Sequence, residues 1–325
     1  MNTKQADHKI ANDHNRLLHF PVSFFSVVMG LSGLSIAWKS AGQTLYPSAV
    51  LWLGLFSSLV MIIITVIYCF KVLRHTKAVI TELHHPIRLN FFPAFSISLL
   101  LLSVVWGEYN AVSFGLWSTG AIVQISLTLY VMSSWIHHTH YTLSHANPSW
   151  FIPVVGNIIV PISGVHFGYA ELSWFFFSIG IVFWLVLLTI VLYRLFFHEP
   201  LPARMTPMLF ILLAPPSVGF VSYTGLSGAL DPFGRILYYI ALFLGMLLFS
   251  NVIRFIRVPF YISSWAYSFP LAALTIATAK MSHLMTNSFF SFLATGLLLL
   301  LSILVFWLVL RTGKAIWTGE LCRPE

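Results

Sequence analysis

Charge is the scarcest property of this 325-residue chain. Its 17 Lys and Arg and 9 Asp and Glu amount to 8% of the residues, against 58% that are hydrophobic and a mean hydropathy of +0.87. A soluble domain carries about a quarter charged residues, so this chain lacks what it needs to cover a water-facing surface. It is an integral membrane protein. Cysteine is nearly absent as well. Cys69, in an apolar run, and Cys322, in the C-terminal tail, build neither a disulfide framework nor a CxxC knuckle, and both are expected to be free thiols. The opening MNTKQADHKIANDHNRLLH has no apolar core, so no signal peptide is expected. The run HHTHYTLSH at 137–145, with His84 and His85, has the wrong spacing for a membrane di-iron centre, because Ile80 and Thr81 stand where a third histidine would belong. No metal, cofactor or enzymatic activity is expected.

Long apolar runs, by contrast, are abundant. About 20 such residues cross a bilayer, and ten spans are expected, at 21–38, 47–71, 91–107, 111–136, 149–165, 170–197, 207–225, 233–254, 261–281 and 289–311. Of the 17 Lys and Arg, only Lys39, Arg235 and Lys280 fall on the side away from the N-terminus, and the other fourteen share the N-terminal side. That bias places both termini in the cytoplasm. It also explains the basic surplus as topology, so no nucleic-acid partner is expected.

A marker opens each odd-numbered span: FPVSFF at 20, HHPIRLNFFP at 84, NPSWFIP at 147, TPMLFILLAPP at 206 and VPFYISSWAYSFP at 258. The leading prolines at 21, 86, 148, 207 and 259 are 65, 62, 59 and 52 residues apart. A period near 60 over most of the chain marks a repeated unit, here a two-helix hairpin. Pro93, Pro153, Pro161, Pro215, Pro216 and Pro270 all fall inside odd spans and none inside even ones. Proline removes a helical hydrogen bond, and lipid cannot satisfy the carbonyl left over. The odd helices should therefore be kinked and inner, wrapped by straight even helices. Five hairpins of one orientation are related by an axis along the membrane normal. The expected fold is all-α: five parallel hairpins in a pseudo-fivefold ring around a central pore.

The middle of every span lacks Asp, Glu, Lys, Arg and His, although Glu108 and His166 stand near span ends. Intramembrane carboxylates and histidines form proton relays, so their absence argues for passive conduction. Basic residues at both mouths favour anions. Hydroxyls are frequent in the odd spans, among them Ser26, Ser96, Ser217, Ser268 and Thr278, and can donate to a passing anion or bind neighbouring helices. In SSWAYSFPLAALTIATA, residues 263–279, Ala266, Phe269, Ala273 and Ile276 share one face at helical period. Phe269 is its one large ring. If that face lines the path, the ring plugs it; otherwise the ring packs between helices.

These motifs, WAYSFP above all, resemble the tellurite-resistance/dicarboxylate transporter family, which includes the slow-type anion channels of plant guard cells. The resemblance runs from about residue 20 to 315. It implies a ten-helix ring, a homotrimer with one pore per subunit, and a ninth-helix phenylalanine, here Phe269, that occludes the pore. It also implies that Ser26 faces that ring and that Val218 lines the path; Gly30, Ala266 and Ala273 complete the expected lining. Residues 1–19 and 316–325 are then cytoplasmic tails around a 20–315 channel domain in a bacterial inner membrane. The expected function is a gated, passive channel for small monovalent anions such as chloride or nitrate. The alternative is a proton-coupled C4-dicarboxylate transporter linked to tellurite resistance.

Overall fold

The computed structural model of the chain describes residues 16–42, 47–138 and 141–322. Among these the regular structure is helical, with no strand. Five long helices run unbroken: α2 (Pro47–Arg74), α5 (Asn110–His137), α8 (Ala170–Phe197), α10 (Pro232–Ser250) and α13 (Ser288–Trp317). Between them stand shorter α-helices that each continue a 3₁₀ stretch. They are α1 (Phe25–Gly42), α4 (Pro93–Val105), α6 (Phe151–Val155) with α7 (Val160–Gly164), α9 (Ala214–Ser227) and α12 (Ser268–Met285). Two further short helices, α3 (Thr76–His84) and α11 (Val252–Ile256), were not expected from the sequence.

The odd-span prolines do not bend continuous α-helices. Each stands within the first three residues of an α segment that follows a 3₁₀ stretch: Pro93 at the start of α4, Pro153 in α6, Pro161 in α7, Pro215 and Pro216 in α9, and Pro270 in α12. In the first turn the backbone N–H has no intrahelical acceptor, so proline loses nothing there and its fixed φ suits the helix. The break is made by the tighter 3₁₀ winding, which runs through Ala203–Leu213 before α9 and through Ile262–Tyr267 before α12.

Eight helical segments among the described residues are long and apolar enough to cross a membrane. Pro148–Gly164 is apolar but shorter, and Ser268–Met285 is not among the eight. Both are largely buried in the protein. The segments divide cleanly by burial. The most apolar stretch is 78%, 67% and 89% buried in Val22–Ala41, Arg88–Val105 and Ala203–Ser227, but only 22–39% buried in the five unbroken helices.

The buried helices pack in a closed circuit. α1 packs on α4, α4 on the α6–α7 segment, that segment on α9, α9 on α12, and α12 on α1. The unbroken helices lie outside, α5 against α4, α8 against α6 and α7, α10 against α9, and α13 against α12 and α1. Small residues permit the close approach of α1 and α12: a Cβ on Gly30 would come 2.2 Å from Ser268 Oγ, and one on Gly33 would come 2.9 Å from Ala272 Cβ. At the N-terminal end of α1, Lys71 Nζ donates to the Phe20 carbonyl at 2.8 Å and to Glu82 Oε1 at 2.8 Å, while Tyr68 donates to Glu82 Oε2 at 2.8 Å. This buried cluster ties α2 and α3 to the start of α1.

Candidate functional site: a cavity lined by Phe269

One cavity of about 50 Å³ lies where the five interrupted segments meet. A water needs roughly 10–15 Å³ of such space, so it holds a few waters or one bare small anion. Ser26 and Met29 line it from α1, Ala94 and Ile97 from α4, Phe151, Ile152, Val155, Gly156 and Ile159 from the α6–α7 segment, Ala214, Pro215 and Val218 from α9, and Trp265, Ala266, Phe269 and Pro270 from α12 and its 3₁₀ lead. The wall is apolar except for the Ser26 hydroxyl, which donates to the Ser23 carbonyl at 2.6 Å.

The exposure of α12 alternates along one face. Ala266 is part-open, every residue from Tyr267 to Thr275 is buried, and Ile276 and Lys280 are part-open again. Phe269 and Ala273, on the same face, are 8% and 3% exposed. The face is therefore open, then shut, then open, and Phe269 stands at the boundary.

Of the residues singled out in the sequence, Ser26, Val218, Ala266, Phe269, Pro215 and Pro270 come together around this cavity. Gly30 and Ala273 do not line it. Gly30 faces Trp265 and Ser268 of the neighbouring segment, and Ala273 lies buried beyond the ring. Pro93, Pro153, Pro161 and Pro216 are buried behind the wall. Sequence reasoning missed Met29, Phe91, Ile97, Ile159, Ile211 and Trp265, which are ordinary apolar residues with no chemical signature. It also missed Gly33, whose Cβ would lie 3.5 Å from Phe269 Cδ2. Gly33 stands seven residues after Ser26, two helical turns on the same face, and that spacing was the available signal.

The hydroxyls are occupied elsewhere. Ser217, Ser268, Thr275 and Thr278 each donate to a carbonyl three or four residues back at 2.6–2.8 Å. Ser222 donates across to the Ile158 carbonyl, and Ser98 to the Phe25 carbonyl at 3.2 Å. The first four bonds are local to their own segments, and the last two join neighbouring segments. The carbonyls of the interrupted α6–α7 segment are answered from outside in the same way. Pro153 O accepts from Gln124 Nε2 at 2.9 Å and Thr128 Oγ1 at 2.7 Å, and Val160 O from Trp117 Nε1 at 3.0 Å. Gln124 Oε1 in turn accepts from Ser96 at 2.7 Å. Carbonyl oxygens that would repel an anion are thus turned away from the cavity.

No group of three His, Cys, Asp or Glu among the described residues is placed to hold a metal. His84 bonds the Ile80 carbonyl, and His85 accepts from the backbone N–H of Ile87 and Arg88. His140 lies outside the described residues.

The family model for SLAC1, voltage-dependent anion channel, matches residues 19–313, which takes in all five cavity-lining segments. The chain belongs to the SLAC1 family. Among its relatives, the S-type anion channel SLAH3 of Arabidopsis thaliana is 31% identical over 91% of this chain and 48% of the plant protein. The guard cell S-type anion channel SLAC1 of the same plant is 27% identical over 81% of this chain and 50% of its own length. A tellurite resistance protein TehA homolog of Haemophilus influenzae is 26% identical over 87% of this chain and 90% of its own length. The chain therefore spans about half the length of these two plant proteins.

Proposed function

We propose that this chain is a gated channel that passes small monovalent anions, such as chloride or nitrate, passively across a bacterial inner membrane. Ten membrane helices form five hairpins in a pseudo-fivefold ring, with the path along its axis and Phe269 as the plug. The observation that carries this reading is that all five buried segments converge on one apolar cavity with the buried Phe269 ring in its lining. The closed packing circuit of the buried helices supports the ring. The apolar wall supports passive passage, since a proton relay needs titratable groups and none lines the cavity. On this reading 1–19 and 316–325 are cytoplasmic tails around a 20–315 channel domain, and three subunits assemble with one path each.

The test is the reversal potential of currents through Phe269→Ala in asymmetric chloride. A channel reverses at the chloride equilibrium potential whatever the pH gradient. A reversal that moves with the proton gradient, or flux that requires a dicarboxylate on the far side, makes the protein a coupled carrier instead.

A further inference from the structure

Beyond Phe269, the same face of α12 holds a cation that no carboxylate among the described residues pairs with. Lys280 lies eleven residues after Phe269. Eleven residues are three helical turns plus about 20°, so the two side chains leave α12 on the same side, about 16 Å apart along its axis. Lys280 Nζ donates to the Val221 carbonyl at 3.0 Å. A Cβ on Gly225 would lie 3.9 Å from that nitrogen. Val221 and Gly225 follow the cavity-lining Val218 by three and seven residues, which keeps them on the same side of α9. Val221 is part-open and Gly225 exposed. The ammonium therefore sits where the facing sides of α9 and α12 reopen beyond the ring.

Its neighbours leave it positive. The ion pairs among the described residues are Lys39–Glu108 at 3.1 Å and Lys71–Glu82 at 2.8 Å, and neither includes Lys280. Near the same helix end, Arg235 reaches Met285 Sδ and His283 the Ser40 carbonyl, while the Asp231 carboxylate accepts from Gly234 N–H and the Tyr223 hydroxyl. An ammonium has three N–H donors, and the Val221 carbonyl takes one. A half-buried cation with unspent donors, beside an apolar constriction, is suited to replace part of the water shell of a small anion.

We infer that Lys280 forms a binding site for one small monovalent anion between α9 and α12, on the far side of Phe269 from the cavity. This site rests on the reading of α12 as a wall of the path. It concentrates anions at that mouth and sets conduction when they are scarce.

Two measurements on the full chain test it. In detergent at fixed ionic strength, wild type is expected to melt higher in sodium chloride than in sodium gluconate, because a ligand that binds only the folded state stabilises it. Lys280→Gln should lose that difference and Lys280→Arg should keep it. In the Phe269→Ala background, Lys280→Gln should lower chloride conductance about tenfold at low salt. At about 1 M salt, where screening is within ~3 Å, the conductance should match that of Phe269→Ala alone, which also shows that the variant is folded. If Lys280→Gln is not produced, Lys280→Met carries the same comparison. A melting difference that survives removal of the amine overturns the site, as does conductance unchanged at low salt or equally reduced at all salt concentrations. Chloride stabilisation that depends on Lys280 while Phe269→Ala stays silent upholds the site and sinks the gate.

Discussion

The Phe269 ring rests against a place on α1 that has no side chain: Cδ2 lies 3.5 Å from where a Gly33 Cβ would stand. Ala272 is closer still, at 2.9 Å from the same point. Gly33→Ala must therefore push α1 and α12 apart by a few tenths of an ångström. Overpacking of this kind costs about 1–3 kcal/mol, read as a lower unfolding midpoint in detergent. Gly33→Ala combined with Ala272→Gly should recover most of the loss, because the second change removes the closest atom.

Gln124 holds the interrupted α6–α7 segment from outside. Replacing it with Leu removes the donor to Pro153 O and the acceptor for Ser96. Thr128 still donates to Pro153 O and Ser96 to the Pro93 carbonyl, so the loss is that of two buried hydrogen bonds, about 0.5–1.5 kcal/mol each. Gly156→Ala is expected to be at least as damaging, since its Cβ would come 2.5 Å from Gln124 Nε2. Thermal unfolding of the two variants checks both, and a Gln124→Leu midpoint equal to wild type would contradict the role.

Lys71 and Glu82 are 1% and 4% exposed. Removing one partner of a buried pair typically costs about 3–5 kcal/mol, whereas replacing both with apolar residues of similar volume is often neutral. Lys71→Met and Glu82→Leu should each lower the midpoint strongly, and the double variant should sit well above either. A double variant whose loss equals the sum of the two single losses would show that the pair is not coupled.

Some of this architecture is readable along the chain because proline and glycine have few roles to choose from. The marker prolines near a 60-residue period point to the segments that prove to be interrupted and buried, and their absence from the other spans points to the unbroken outer helices. What proline does there is not readable. The same residue can bend a helix or begin one, and only the 3₁₀ lead before each α segment decides for beginning. Serine is ambiguous for a different reason: Ser217 and Ser268 each have a carbonyl within one turn to bond, and that local bond is made. The apolar cavity lining, Ile97 and Ile211 for example, looks like any membrane helix, because a wall that binds nothing tightly needs no distinctive chemistry.

Asp231 caps α10 between two membrane segments, accepting from Gly234 N–H at 2.9 Å and from the Tyr223 hydroxyl. The Gly234 bond first, and the Tyr223 bond second, hold its carboxyl below the usual carboxylate range. A lowered folded pKa contributes stability above the ordinary value of about 4, and that contribution is lost as the pH falls through the lower folded value. Wild type should therefore lose stability below pH ~4 more steeply than Asp231→Asn, whose amide oxygen still accepts but does not titrate. Parallel melting curves from pH 3 to 7 would contradict this.

Chloride efflux from liposomes containing wild type or Phe269→Ala tests the central claim most directly. The ring as plug predicts slow efflux through wild type and a rise of at least tenfold through Phe269→Ala, selective for chloride over potassium. A Phe269→Ala protein that is folded, inserted and no more permeable than wild type would show that the ring only packs between α1 and α12, and that the path runs elsewhere.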